Sequence, residues 1–255
     1  MLFNYHITIN IMEKISLIIP TRIRPQMMQD VWSSALNTSY YPDNLEICFY
    51  IDNDDEISIN KVKDMATDKR VKYKIGERIC LSQMWNEAQK LATGTIFWHG
   101  NDDFIFRSKN WDKYVIDEFN KYDDKLIFVY GRDGIWDGKK VSINGWKTKY
   151  PLATAGFIHQ RWIDFSGYFL PPYFSSDYND TWLSEIFNRC NRIIYIKDIY
   201  IEHMHYIFGK MKKDLNSIER ELRGSQDNVD KLYKKLQHER DNQVNKLLKI
   251  CNKKI

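Results

Sequence analysis

Cysteine is scarce in this chain of 255 residues. Its four cysteines, Cys48, Cys80, Cys190 and Cys251, are scattered, with no Cys-x-x-Cys and no metal-ligand spacing. That argues against a zinc module or a disulfide scaffold and reads as reduced thiols in a cytoplasmic protein. Glycine is sparse too, 11 residues, and none falls in Pro20-Thr21-Arg22-Ile23-Arg24-Pro25-Gln26, the turn after the first apolar strand. A Rossmann-type dehydrogenase or methyltransferase needs glycines at that turn for close approach to phosphate, and a sugar-phosphate nucleotidyltransferase needs a glycine-rich loop there. Neither fits. No apolar run reaches about 18 residues, so no membrane span is expected. The start MLFNYHITINIMEK has no basic region followed by a long apolar one. No secretory signal is expected, and Met12 is a possible alternative start.

What is present is a chain long enough to bury a sizeable core as one α/β domain with an appendage. Aromatic residues make up 15%, including 8 Trp and 16 Tyr. Such rings line sites for flat or sugar-like ligands, but core packing accounts for them equally well, and Trp85 and Trp98 read as core. Residues 210–255 carry 13 Lys and Arg against 7 Asp and Glu, whereas the rest carries 25 against 27. The overall charge of +4 therefore belongs to the tail. A basic tail suits an anionic partner, although its interleaved acids suit a solvated helix face better.

Apolar runs at 14–21, 45–52, 71–76, 95–100 and 125–131 read as strands. They alternate with helical patterns at 25–36, 81–92 and 111–122, the first opening on Pro25 and the second followed by Gly94. This order predicts a mostly parallel, doubly wound α/β sheet with ligands at the carboxyl ends of its strands. Residues 132–172 read as loops around a mixed-sheet extension, 175–190 as a helix, and 192–205 as a strand ending in two histidines. From Lys210 onward, Leu215, Ile218, Leu222, Val229, Leu232 and Leu236 follow a three–four spacing interrupted at Gly224. That charged helix either packs on the body or self-associates.

Two acidic clusters fall at strand ends. The strand through Trp98 runs straight into Asn101-Asp102-Asp103, and the 45–52 strand ends in Asp52-Asn53-Asp54-Asp55. Adjacent carboxylates at the end of a buried strand are costly unless something there needs negative charge. A divalent cation escorting phosphate is such a partner, because hard cations take oxygen ligands. The second cluster is also compatible with an ordinary turn.

The succession of a strand ending Pro20-Thr21-Arg22, the acidic strand end at Asp52, a helix containing Asn86, Ala92-Thr93-Gly94 before a strand, and Asn101-Asp102-Asp103 carries a resemblance. A late Asp-containing loop and helix and a strand ending in histidine complete it. The chain resembles the GT-A fold of family 2 nucleotide-sugar glycosyltransferases over roughly residues 14–210, preceded by an extension (1–13) and followed by a helical tail (211–255). It looks closest to a subgroup from bacteriophage and viral genomes.

The resemblance implies a hexosyltransferase-like enzyme that moves a sugar from a nucleotide-sugar, UDP-sugars being the commonest, to an acceptor hydroxyl with inversion. Thr21 would contact the nucleoside with Arg22 nearby, and Asp52 would accept hydrogen bonds from base or ribose. Arg78 would lie against base or pyrophosphate. Asn101-Asp102-Asp103 takes the DxD position, where Asp103 would bind Mn²⁺ or Mg²⁺ and Asn101, in place of the usual Asp, could still bond a ribose hydroxyl. His203 or His205 would add a metal ligand, and Lys210 would pair with a phosphate. The base is expected at Asp177 or Asp180, with Asp177 favoured because it precedes the helix and is freer to point into a cleft; either could instead cap that helix. His99 is expected beside the site rather than in it. The acceptor, a glycan, modified DNA base or protein, has no transferable signature. A degenerate GT-A domain that only binds nucleotide or glycan is the alternative, and donor cleavage separates the two.

Overall fold

The computed structural model describes residues 13–143 and 146–251. The expected extension and the alternative start at Met12 lie outside them, apart from Glu13. In chain order the elements are β1 (Ile15–Thr21), α1 (Pro25–Thr38), β2 (Leu45–Asp52), α2 (Glu56–Met65), β3 (Val71–Gly76), α3 (Leu81–Gln89), β4 (Ile96–His99) and β5 (Phe104–Phe106). There follow α4 (Trp111–Phe119), β6 (Phe128–Arg132), β7 (Lys140–Ile143), β8 (Trp146–Pro151), β9 (Gly156–His159), α5 (Gln160–Ser166), α6 (Asn179–Arg189) and β10 (Ile193–His203). The tail is α7 (Leu215–Gln226), α8 (Val229–Lys235) and α9 (Gln237–Cys251).

Every residue of β1 and β2 is buried, the pattern of strands covered on both faces. They belong to an eight-stranded sheet of order β3-β2-β1-β4-β9-β6-β10-β5. β1 pairs in parallel with β2 and β4, β2 with β3, and β6 with β10, while β9 runs antiparallel to both its neighbours. The ends of β1, β2, β4 and β10 therefore fall along one edge, where Thr21, Asp52, Asn101 and His203 sit. One face of the sheet packs on α1, α2 and α4 through Val31, Trp32, Val62, Trp111 and Val115. The other packs on α3, α5, α6 and α9 through Met84, Trp85, Trp162, Trp182, Phe187 and Leu247. Trp85 and Trp98 are core, as the sequence suggested.

Three features depart from expectation. The sequence gives no sign of α2, a helix capped by Asp55, whose side chain accepts from the Ser58 amide. The 132–172 segment, expected as loops around an extension, supplies β9 to the middle of the sheet. α7 continues through Gly224 and ends only at Gln226. Gly224 is there for proximity, since a Cβ on it would lie 2.5 Å from the Ser176 hydroxyl.

The tail's single apolar stripe splits. Val229, Leu232 and Leu236 pack on the body, whereas Leu215, Ile218 and Leu222 face outward, 43–57% exposed. α9 is fastened to α6. Arg240 is 1% exposed, bonds Glu185 (2.9 Å) and lies over the Tyr233 ring at 3.7 Å.

One buried carboxylate fastens the edge of the sheet opposite that line of strand ends. Glu46, fully buried, accepts from Ser16 (2.7 Å), the Thr93 hydroxyl (2.8 Å) and the Gly94 amide (3.1 Å), and pairs with Lys14 and Lys72 at 2.6 and 2.9 Å. Gly94 must be glycine, because a Cβ would meet the Lys14 carbonyl at 2.5 Å. Burial opposes the charge of Glu46, yet Lys14, the Thr93 amide and Lys72 hold its carboxyl down at about 2. A depressed pKa stabilises above the ordinary carboxylate value and is lost as pH falls through the folded one. Glu46→Gln is expected to lower stability by roughly 2–3 kcal/mol at neutral pH, less than a fully buried pair because both ammoniums meet solvent. Urea midpoints should converge for the two proteins between about pH 4.5 and 2; an equal difference across that window would refute the assignment.

Candidate active site

The turn after β1 is strained. Ile23 holds φ +57°, a left-handed conformation that a β-branched residue rarely adopts, and Asp55 accepts its amide at 2.7 Å. This kink lets two arginines reach different carboxylates. Arg22 bonds Asp52 (3.1 Å) and both oxygens of Asp54, and Arg24 bonds Asp102 (2.8 Å) with Asp103 at 3.7 Å. The sequence reading named Arg22 and passed over Arg24, although the Arg-x-Arg spacing was visible.

Asp102 and Asp103 are both buried beyond β4. Asp102 is fully engaged, with Oδ1 on Arg24 and Oδ2 accepting from the Thr21 hydroxyl at 2.6 Å. Burial pushes its carboxyl up, against the pull of Arg24. Asp103 is different. Its Oδ1 is buried and accepts no hydrogen bond, while His203 Nε2 stands 3.5 Å away. Burial opposes its charge too, but His203 and then Arg24 hold it well below the usual carboxylate range.

His203 ends β10 with its ring stacked on Phe104 at 4.2 Å, and neither ring nitrogen has a hydrogen-bond partner. His205 lies edge-on to it at 4.9 Å, and burial, then the charge of His203, lowers its pKa to about 4. A buried carboxylate oxygen and an imidazole that meet each other at 3.5 Å and have no hydrogen bond among the described residues fit Mn²⁺ or Mg²⁺, whose other positions phosphate oxygens would fill. Among the described residues, no three acidic, His or Cys side chains already form a metal cluster.

Asp52 closes one end of the site. It is 1% exposed, and its Oδ1 has no hydrogen-bond partner although Oδ2 faces Arg22 and, at 3.8 Å, Arg78. Burial raises its pKa despite both arginines.

Asp177 and Asp180 stand at the other end. Asp177 precedes α6, as expected, but is 55% exposed at its side chain and held by Arg220 at 2.6 Å. Asp180 has no cationic partner among the described residues; its Oδ1 accepts from the Thr181 amide (2.7 Å) and hydroxyl (3.2 Å). Burial pushes its carboxyl up to about 6, aided by nearby Asp177 and opposed by the Thr181 amide. Neither carboxylate supplies a side-chain cap from the residue before α6, because that residue is Tyr178.

These groups line one cavity of about 600 Å³, within the usual range for small-ligand sites. Thr21, Arg22, Asp52, Asn101, Asp102, Asp103, His203 and His205 all contribute to it, with Asp177 and Asp180. His99 reaches its wall but is buried, its pKa lowered by burial to about 4. Lys210 stands outside the cavity lining, its ammonium bonded to Glu202 (3.0 Å) and the Gly134 carbonyl (3.3 Å). Arg78 does not line it either; it faces Asp52 and bonds Glu219.

The roof is what sequence reasoning missed. α7 lies over the cavity and contributes Asn216, Ser217, Arg220 and Arg223 to its lining. Asp214, just before it, bonds Arg24 at 2.7 and 3.1 Å; Ser217 bonds Arg24 at 3.1 Å; Glu219 bridges Arg22 and Arg78. Only the run of charges in the tail hinted at this.

The fold has counterparts among solved structures. A mannosyltransferase, PcManGT from Pyrobaculum calidifontis in complex with GDP-Man and Mn²⁺, superposes with TM-score 0.55 at 15% identity, covering 74% of this chain and 56% of its own. TarS of S. aureus gives 0.58 at 15% identity over 81% of this chain and 41% of its own. S. aureus TarS 1-349 in complex with UDP gives 0.54 at 14% identity, over 81% and 68%. At such identities the likeness is one of fold, and the chain spans about half the length of the first two. No curated protein matches by sequence. The sequence profile of the family described as Glycosyl transferase family 2 matches residues 16–198, from β1 into β10. The chain thus belongs to glycosyl transferase family 2 and has a GT-A-like fold.

Proposed function

We propose that this chain transfers a sugar from a UDP-sugar to an acceptor hydroxyl, with a divalent cation and with inversion at the anomeric carbon. The observation that carries the reading is the division of labour along one cavity. A buried carboxylate with one oxygen free of hydrogen bonds among the described residues (Asp52 Oδ1) lies at one end, metal-type donors that face each other at 3.5 Å (Asp103, His203) in the middle, and a carboxylate of raised pKa (Asp180) at the other end. Asp52 Oδ1 would accept from ribose or base, with Thr21 and Asn101 on the same wall. Asp103 and His203 would hold the cation, with His205 beside them. When bound, that cation neutralises charge developing on the departing diphosphate.

Asp180 would be the base, in place of the sequence's preference for Asp177. A base must be ionised yet able to take a proton near working pH, and a carboxyl lifted to about 6 meets both conditions. Asp177 is the more exposed of the two, and its Oδ1 is held by Arg220. The acceptor hydroxyl would lose its proton to Asp180 as its oxygen attacks the anomeric carbon and the bond to diphosphate breaks. The complex of the related mannosyltransferase with Mn²⁺ supports the cation, and that of TarS with UDP supports the nucleotide.

The test of the donor site is thermal-shift screening against UDP-, GDP-, CMP- and dTDP-sugars, with and without Mn²⁺. A ligand bound only by the native state raises the melting temperature by mass action. A UDP-sugar is expected to do so with Mn²⁺ present, and chelation or Asp103→Ala should abolish the shift. Silence with every donor would refute the reading.

For the base, Asp180→Asn is expected to lower kcat about 10²–10⁴-fold, and Asp177→Asn far less. Because the base works deprotonated, kcat/KM should climb tenfold per pH unit below about 6 and level off above it. A profile flat through that range, or a larger loss at Asp177, would move the role elsewhere.

A further inference from the structure

α7 is amphipathic in the reverse sense. A surface helix normally buries its apolar stripe, but here Leu215, Ile218 and Leu222 face outward while Ser217 and Gly224 are buried. Its attachments are polar and reach site residues: Asp214 and Ser217 to Arg24, Glu219 to Arg22 and Arg78, and Arg220 to Asp177. Apolar burial does not fix this helix. Ion pairs and hydrogen bonds with the residues of the cavity do, and a cavity with a polar roof suits a polar occupant.

The cations of that cavity are unequally committed. Arg22 already faces three carboxylates, those of Asp52, Asp54 and Glu219. Arg24 faces Asp102, Asp103 and Asp214. The two arginines that α7 contributes to the lining are less engaged. Arg220 has one carboxylate, Asp177, and bonds the Tyr206 hydroxyl at 3.4 Å. Arg223 has no ion pair among the described residues, and its Nε is buried without a hydrogen-bond partner. Burial and the nearby charge of Arg78 both disfavour its charged form. A half-buried guanidinium that holds no ion pair and has a buried, unbonded Nε is placed to take an anion.

We propose that α7 is part of the donor site, with Arg220 and Arg223 the residues that bind the diphosphate of the nucleotide. Three positions apart on one helix, the two guanidinium groups start about 4.5 Å apart along its axis. The electrostatic neighbours of Arg223 are Arg78, Asp52, Glu219 and Arg22, at the nucleoside end, and those of Arg220 include Asp177 and Asp103, at the transfer end. Their span covers the stretch where a diphosphate would lie. Arg220 would exchange Asp177 for phosphate as the donor enters. The planar guanidinium suits bidentate contact with phosphate oxygens, which an ammonium reproduces only in part.

This inference rests on the nucleotide-sugar reading, and the experiment separates the two. UDP, GDP and uridine are titrated by calorimetry in the presence of Mn²⁺ into the full chain and into Arg220→Ala, Arg223→Ala and Arg223→Lys. Each alanine variant is expected to bind the diphosphate 10–100-fold more weakly with uridine unchanged, and Arg223→Lys to recover part of the loss. Equal weakening of uridine would mean that the arginines merely hold the roof in place, and unchanged diphosphate binding would leave them no role; either overturns the proposal alone. Failure of the unsubstituted chain to bind either diphosphate would overturn the nucleotide-sugar reading, and this proposal with it. Melting curves of the variants, whose α8 and α9 remain anchored by Arg240 and Leu247, show that the titrated proteins are folded.

Discussion

The contact on which the architecture turns is Arg24 against Asp102. Two carboxylates in succession at the end of a buried strand repel each other and lose hydration, so one must be neutralised if the other is to stay available. Arg24 neutralises Asp102, Thr21 occupies its second oxygen, and Asp103 is left with a bare oxygen beside His203. The same guanidinium holds Asp214 and Ser217, so the group that settles the charge of the strand end also draws the tail across the cavity. Ile23 accepts an unfavourable backbone conformation for this, and Asp55 holds it there while capping α2.

Around that contact the cavity is graded. At the Asp52 end, carboxylates and arginines nearly balance. In the middle, Asp103 is held ionised beside histidines. At the far end, Asp180 is left without a cation, and burial lifts its pKa. Asp177, three residues earlier, meets Arg220 and solvent. Two carboxylates of one short segment thus acquire different characters because a helix from the tail reaches one and leaves the other.

The sequence carried much of this, for local reasons. The strand 45–52 reads to the residue because an apolar run buried on two faces leaves a plain pattern. Asp102 and Asp103 were legible because buried charge at a strand end is rare. α2 was not, since its buried positions are only Ser58, Val62 and Met65. β9 hid as four residues, Gly-Phe-Ile-His, in a stretch rich in turn formers. The roof was illegible for a different reason: Arg24 and Asp214 are 190 residues apart, and a pair at that separation leaves no periodicity. Choosing between Asp177 and Asp180 needed Arg220, 43 residues beyond Asp177. Sequence located several of the parts, and long-range ion pairs set their surroundings.

The place of β9 has a kinetic consequence. It fills the slot between β4 and β6, yet it follows β6 in the chain, and β10 must then settle beyond β6. As the polypeptide emerges from the amino end, β3, β2, β1 and β4 can assemble early, but β4 keeps an open flank until residues 156–159 arrive. The half of the sheet that carries His203 joins later still, and the strap that covers the cavity comes after that. Non-local pairing of this kind slows folding, because loop closure precedes the contacts that reward it. The molecule therefore completes the lining of its cavity only after β9, β10 and α7 have all emerged.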